Sequence, residues 1–256
     1  MKSNDYNGIA NLYDIYVPAD FDIQFFLEET RRIKGPVLEL MAGTGRVSIP
    51  LIEAGIDLTC VDNSQEMLEL LREKLQSRGL QSNLVCEDVL SLNLDQQFAG
   101  VIIPFNSFAH LVTLAEQKKA LAWIRRHLLP DGFFICTLGN PLIRQKQIDG
   151  NLRLYRKYNV PETGGSLLLW ILEKFSAVDN SVVETDEFFE EYDCDGVLTR
   201  KRHLEINFRL SDRMEFESAA SETGFTVVDL YGDFDRTAFN PRTSPHMIWI
   251  LKPDAR

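Results

Sequence analysis

The chain has 256 residues, 45% of them apolar and 25% charged, and its 38 acidic against 27 basic side chains leave a net charge of −11. That length suits one large domain or one domain with an insert, and so acidic a chain is a poor match for a nucleic-acid phosphate backbone. No run of about 18 apolar residues would span a membrane, and the start, Met1 to Asn7, has no apolar signal core, so a cytoplasmic protein is expected.

The four cysteines show no Cys-x-x-Cys spacing. Cys60, Cys86 and Cys136 sit in apolar runs, where cysteine behaves as a small hydrophobe, and Cys194 sits in a turn. Free thiols in a reducing compartment are expected, and a metal site is not.

Residues 6–32 read as a helical cap. Tyr6, Ile9, Ala10, Leu12 and Tyr13 recur at helical spacing, and Asp20 is expected to start a second helix through Arg32. Val37–Leu40 is an apolar strand. A glycine-spaced turn with Ala42, Gly43 and Gly45 leads into a helix over Val47–Ala54, closed by Gly55. Strand, glycine turn and helix form a cradle for phosphates or nucleosides, because glycine lets the backbone approach a ligand. A dinucleotide fingerprint would need a third glycine where Ser48 stands. Glu39 would repel a phosphate but attract a cationic ligand; the plainer reading is a solvated acid at a strand end.

The next strand, Ile56–Val61, ends at Asp62, whose two acceptor oxygens suit a vicinal diol. Asp62-Asn63-Ser64 is also a helix-start signal ahead of Glu66–Arg78, so capping and ligand binding are both open. Met67, early in that helix, by itself reads as core more often than as a ligand contact. A third strand, Asn83–Cys86, ends at Glu87-Asp88-Val89, so acids stand at three successive strand tips: Glu39, Asp62 and Asp88. The fourth strand, Gly100–Pro104, is apolar throughout, as a strand buried on both faces should be. The loop Phe105–Leu111 follows. His110 is its candidate general base or substrate contact, against a purely structural histidine, and Asn106 could orient an amine or hydroxyl.

Ala115–Leu128 is an amphipathic helix, and Pro130-Asp131-Gly132 turns into a fifth strand, Phe133–Leu138. Four strands over 152–160, 166–178, 182–192 and 199–210 are broken by turn residues, which predicts antiparallel hairpins. The acidic run Glu184–Asp195 faces Arg200-Lys201-Arg202 as cross-strand charge pairing. Ser211 is expected to cap a helix through Thr223, followed by strands Phe225–Tyr231 and Pro245–Leu251.

Glu-Leu-Met-Ala-Gly-Thr-Gly at 39–45, with Val61-Asp62 and Cys86-Glu87-Asp88, resembles the class I S-adenosylmethionine (SAM) dependent methyltransferases of small-molecule type. Met41 stands where that family's first glycine is usual. The resemblance implies an α/β fold, a doubly wound, seven-stranded, mostly parallel sheet with its last strand antiparallel, plus an inserted antiparallel β lid. It divides the chain into a helical cap (1–35), a SAM-binding core (36–139), a lid (140–210) and a terminal helix with strand hairpin (211–256). It implies SAM contacts from Tyr13, Glu39, Ala42, Gly43, Gly45, Asp62 (ribose), Asn63, Met67 and Asp88 with Val89 (adenine), and Phe105. Glu39 should aim at the methionine end or stay hydrogen-bonded, because a carboxylate at the sulfonium would favour reactant over transition state. Substrate contacts would come from Tyr6, Phe108, Tyr155 and Trp170, and chemistry from His110 and Asn106. The implied reaction is in-line methyl transfer to nitrogen or oxygen of a small molecule, with no nucleic acid, membrane or metal involved and a homodimer as one possible assembly. A SAM-binding protein without transferase activity and an NAD(P)-dependent oxidoreductase are the alternatives.

Overall fold

The structure, a computed structural model, describes residues 4–254. Met1 to Ser3, part of the start read above for a signal core, lie outside the described residues. A 3-10 turn at Asn7–Ile9 runs into α1 (Ala10–Tyr16), and α2 spans Ile23–Arg32. Asp22, not Asp20, stands at the start of α2, and its buried carboxylate accepts from Arg46 instead of capping the helix.

The core then alternates strand and helix: β1 (Val37–Leu40), α3 (Ser48–Glu53), β2 (Leu58–Asp62), α4 (Gln65–Ser77), β3 (Asn83–Cys86), β4 (Phe98–Ile103), α5 (Leu114–His127) and β5 (Leu128–Gly139). A short helix α6 (Pro141–Arg144) opens the insert, whose strands are β6 (Arg153–Val160), β7 (Gly165–Phe175), β8 (Val182–Tyr192) and β9 (Leu198–Arg209). Helix α7 (Arg213–Glu222) and strands β10 (Phe225–Tyr231) and β11 (His246–Pro253) complete the chain. Asp212, not Ser211, caps α7 by accepting from Glu215 N–H, while the buried Ser211 hydroxyl donates to Gln117.

The strands form the expected α/β architecture. One sheet of seven runs in the order β10-β11-β5-β4-β1-β2-β3, and a separate sheet of four runs β6-β7-β8-β9. β1 pairs in parallel with β2 and β4, β2 with β3, and β4 with β5; β11 is antiparallel to both β5 and β10. β1 and β4 are buried at every residue, which explains their unbroken apolar runs. One face of this sheet packs on α5 and α7 through Leu121, Ile124, Phe216 and Trp249, and the other packs on α2, α3 and α4 through Phe26, Leu51, Leu71 and Leu75.

The insert is an antiparallel meander with its inner face on the N-terminal helices. Leu167, Leu169, Ile171, Phe189, Leu204 and Ile206 form one buried cluster with Ile9, Leu12 and Met67. Across the last hairpin Glu190 stands opposite Lys201 and Glu191 opposite Arg200. Lys201 pairs with Glu190, while Arg202 pairs with Glu191 and also donates to Gly8 O and Asn11 Oδ1. The charge run therefore ties the N-terminal cap to the insert. Cys86 is exposed rather than apolar-packed, because β3 is an edge strand, whereas Cys60 and Cys136 are buried. Among the described residues, no helix is long and apolar enough to cross a membrane.

Candidate active site

Strand order reverses between β1 and β4, and ligands collect outside the carboxyl ends of the strands at such a point. The turn after β1 is built on three left-handed residues: Met41 (φ 59°), Gly43 (φ 56°) and Gly45 (φ 86°). The family's usual first glycine thus has a steric reason, and Met41 holds its conformation at a cost of about 1–2 kcal/mol. A side chain at Gly43 would meet nothing within 4 Å, so the space above it is open; at Gly45 it would strike Leu71 Cδ1 at 2.2 Å. One glycine leaves room for a ligand, and the other lets α4 approach the turn.

Asp62 locks this turn to β2. Its Oδ2 accepts from Gly43 N–H at 2.7 Å and its Oδ1 from Ser64 N–H at 2.9 Å. Each carboxylate oxygen keeps a second lone pair. Burial raises the Asp62 pKa, and these N–H groups offset part of that rise. Ser64 then caps α4 by accepting from Met67 N–H, so the helix start and the strand-tip acid are neighbours with separate tasks.

Glu39 takes the hydrogen-bonded course. It is buried beneath the turn and accepts from Ser48 Oγ at 2.6 Å. Burial pushes its carboxyl up to about 8, against the lowering effect of Ser48. It is therefore mostly neutral at pH 7, and it does not line the cavity described below. The folded chain retains a proton that the unfolded chain releases near pH 4.5. Stability from this group is complete below that pH and declines as pH rises through about 8, by a few kcal/mol in all. Thermal melts of ligand-free protein should drop between pH 5.5 and 8.5, and Glu39→Gln should flatten that drop. Equal pH slopes in the two proteins would contradict a neutral Glu39.

A cavity of about 280 Å³ opens at the strand tips, bounded by Tyr6, Tyr13, Met41, Gly43, Asp62, Asn63, Met67, Asp88, Val89 and His110 among others. Asp88 Oδ1 accepts from Leu90 N–H at 2.8 Å, and Val89 and Met67 are buried on the same wall. Tyr6 and Tyr13 meet edge to face, 6.1 Å apart, from the N-terminal segment. Burial raises both phenols, so they stay protonated.

His110 is held by its neighbours. Asn207 N–H donates to Asn4 Oδ1, which turns the Asn4 amide nitrogen toward Asn207 O and toward His110 Nδ1 at 2.5 Å. Nδ1 also lies 3.3 Å from Asn207 O, and Nε2 lies 3.5 Å from Tyr6 Oη. Burial lowers the His110 pKa, against a smaller raising effect of the Asn207 carbonyl, so the ring is neutral.

Other expected contacts lie elsewhere. Ala42 is buried and Gly45 is closed over by Leu71, both behind the cavity wall. Phe105 and Asn106 are left-handed residues at the tip of β4. The Phe105 ring lies under Arg46, 4.4 Å from ring centre to guanidinium. Asn106 N–H donates to Thr137 Oγ1, while its Oδ1 is buried without a partner. Phe108 is fully buried against Phe134 and Phe216, a core residue and not a substrate contact. Tyr155 is exposed, and Trp170 donates to Glu190 on the outer face of the insert, because its neighbours Leu169 and Ile171 take the inner one. Asn4, Glu87, Ser107, Glu116 and Asn207 line the cavity without having been singled out in the sequence. Only Glu87, beside Asp88, carried a local signal.

Among the described residues, Asp186, His203 and Glu205 could converge on an ion. They lie on the outer face, and a 2.7 Å contact between His203 Nε2 and Asp186 Oδ1 accounts for the grouping.

Residues 37–132 match the family described as "Methyltransferase domain". Over 237 residues the chain is 32% identical to a glycine/sarcosine N-methyltransferase of Parasynechococcus marenigrum (strain WH8102), covering 90% of this chain and 75% of the relative. A glycine/sarcosine N-methyltransferase of Halorhodospira halochloris is 34% identical over 119 residues, 45% of this chain and 44% of the relative. The chain spans about half the length of the first curated relatives it matches, 53% and 44%. In fold it is similar to an S-adenosylmethionine-dependent methyltransferase from Clostridium acetobutylicum ATCC 824, with TM-score 0.82 and 20% identity over 98% of this chain and 99% of that one.

Proposed function

The chain belongs to the class I SAM-dependent methyltransferases, and from that premise we propose that it methylates the nitrogen of a small-molecule amine. SAM, when bound, supplies a methyl group already activated by a positively charged sulfur. The residues at the strand tips fit such a group: open space above Gly43, the carboxylates of Asp62 and Asp88 at the cavity wall and the apolar Met67 and Val89. Asp62 would accept from the ribose hydroxyls and Asp88 from the adenine amino group. Tyr6 and Tyr13 would cover the cavity and exclude water, leaving positioning as the protein's main contribution.

The enclosure of His110 is the observation that favours nitrogen over oxygen. An alcohol must lose its proton to a strong base as it reacts, and the imidazole among the described cavity residues has its pKa lowered by burial and is held by Asn4, Asn207 and Tyr6. An amine needs only to arrive neutral. Asp62, Glu87, Asp88 and Glu116 line the cavity, with no lysine or arginine among its described residues, which favours a basic acceptor over one carrying its own carboxylate. The names of the two relatives, both N-methyltransferases, agree with nitrogen as the acceptor atom. The exposed free thiols Cys86 and Cys194 suit a reducing, cytoplasmic setting. A homodimer stays part of the proposal, to be read by sedimentation.

The test is turnover of SAM to S-adenosylhomocysteine with amino sugars, glycine, sarcosine and matched alcohols. Amines should react and alcohols should not, with the amino sugars ahead of glycine. Turnover of alcohols alone would overturn the assignment to nitrogen; SAM binding without any turnover would favour a SAM-binding protein without transferase activity.

A further inference from the structure

With His110 engaged, an ammonium entering the site needs another group to hold it and take its proton. Glu187 lies on the inner face of the insert sheet, between Thr185 and Phe189 along β8 and opposite Ile171 of β7 and Leu204 of β9. Its Oε2 is buried with no hydrogen-bond partner, and Thr185 Oγ1, two residues away on the same face, is orphaned in the same way. Two buried polar atoms without partners on one face are costly unless a ligand supplies what they lack.

The surroundings are apolar or already committed. Tyr6, Tyr13 and Tyr16 of the N-terminal segment and Tyr158 of β6 pack on the cluster of this inner face, with the Tyr16 ring 5.0 Å from that of Phe189, and Tyr6 and Tyr13 also line the strand-tip cavity. Glu173 of β7 is buried and held by Arg144 and Arg153. Arg202 of β9 is taken by Glu191 and Asn11. Among the described residues, no cation pairs with Glu187. Burial, aided by the Glu173 charge, pushes its carboxyl up to about 7, which allows it to gain and release a proton near neutrality.

Resting on the amine N-methyltransferase reading, we propose that Glu187, with Tyr6 and Tyr13, forms the subsite that receives the acceptor's ammonium group. The carboxylate pairs with the ammonium and takes one N–H proton, leaving a neutral amine. The nitrogen lone pair then forms the N–C bond as the bond from methyl carbon to sulfur breaks, its electron pair staying on sulfur. The product leaves as a methylammonium, and Glu187 returns its proton to water. The phenols, kept protonated, turn their faces to the cation.

Tetramethylammonium, which has no proton to give, probes the subsite without turnover. By NMR titration of the full chain it should bind wild type at least tenfold tighter at pH 8.5 than at pH 5.5, as Glu187 ionises. Glu187→Gln should lose about tenfold in affinity at pH 8.5 and lose the pH dependence, with SAM affinity within twofold of wild type. Glu187→Asp should keep the pH dependence with weaker binding. The same glutamine variant should lower kcat/KM at least tenfold for the best amine of the turnover panel. Equal tetramethylammonium binding and pH dependence in wild type and Glu187→Gln, or no binding to wild type, would overturn the subsite. Failure of the methyltransferase reading shows separately, as wild-type protein that neither binds nor consumes SAM.

Discussion

Gly45→Ala is expected to cost about 2–5 kcal/mol of stability and to abolish measurable SAM binding at ordinary concentrations. Two costs add. The residue sits at φ 86°, where a β-carbon is unfavourable by about 1–2 kcal/mol. The new methyl would also lie 2.2 Å from Leu71 Cδ1, so this fully buried side chain would have to change rotamer or push α4 away. Overpacking of this kind typically costs about 1–3 kcal/mol. Relief would come from α4 moving away from the turn, and that motion would carry Asp62, Asn63 and Met67 out of register with Gly43. In a chain of this size the melting temperature should fall by roughly 5–15 °C. Gly43→Ala has no such neighbour and should melt closer to wild type, so the pair separates packing from backbone conformation. A Gly45→Ala protein with wild-type melting would refute the proposed tight seat of α4.

Asp62→Ala is expected to weaken SAM binding by about 1.5–3 kcal/mol, a factor of roughly 10–150. The loss has two sources. The carboxylate fixes the turn through Gly43 N–H and the helix start through Ser64 N–H, and its remaining lone pairs face the cavity. Asp62→Asn keeps one acceptor oxygen and should fall between wild type and alanine. Calorimetry with SAM on the three proteins gives the order directly. Unchanged affinity in the alanine variant would remove the ribose assignment.

Much of this architecture was readable because the core strands are apolar runs, the first three with an acid at or beside the tip. Period and punctuation mark β1 to β4, and the turn residues of 151–210 mark the hairpins nearly to the residue. By contrast, β5 begins at Leu128 and runs through Pro130-Asp131-Gly132, where the sequence predicts a turn, because the strand continues beside β4 directly from the end of α5. Contacts between elements were harder to read. Glu39 looked free at a strand end, yet Ser48, nine residues on, captures it. Asp22 left its helix for Arg46, 24 residues away. Trp170 turns to the outer face, and because β7 is apolar on both rows, alternation alone does not say which row faces inward. Asn4 and Asn207 enter through a mutual backbone and amide exchange that no local pattern announces. Glu187 was hidden in a run of acids that pairs with basic neighbours almost everywhere else, and only its position between Thr185 and Phe189 on the inner face sets it apart.

The most direct measurement is calorimetric titration of the purified chain with SAM and, separately, with NADH. One SAM per chain, with no heat from NADH, is the predicted result. Saturable NADH binding with no response to SAM would contradict the reading of the strand-tip cavity as a cradle for a cationic nucleoside.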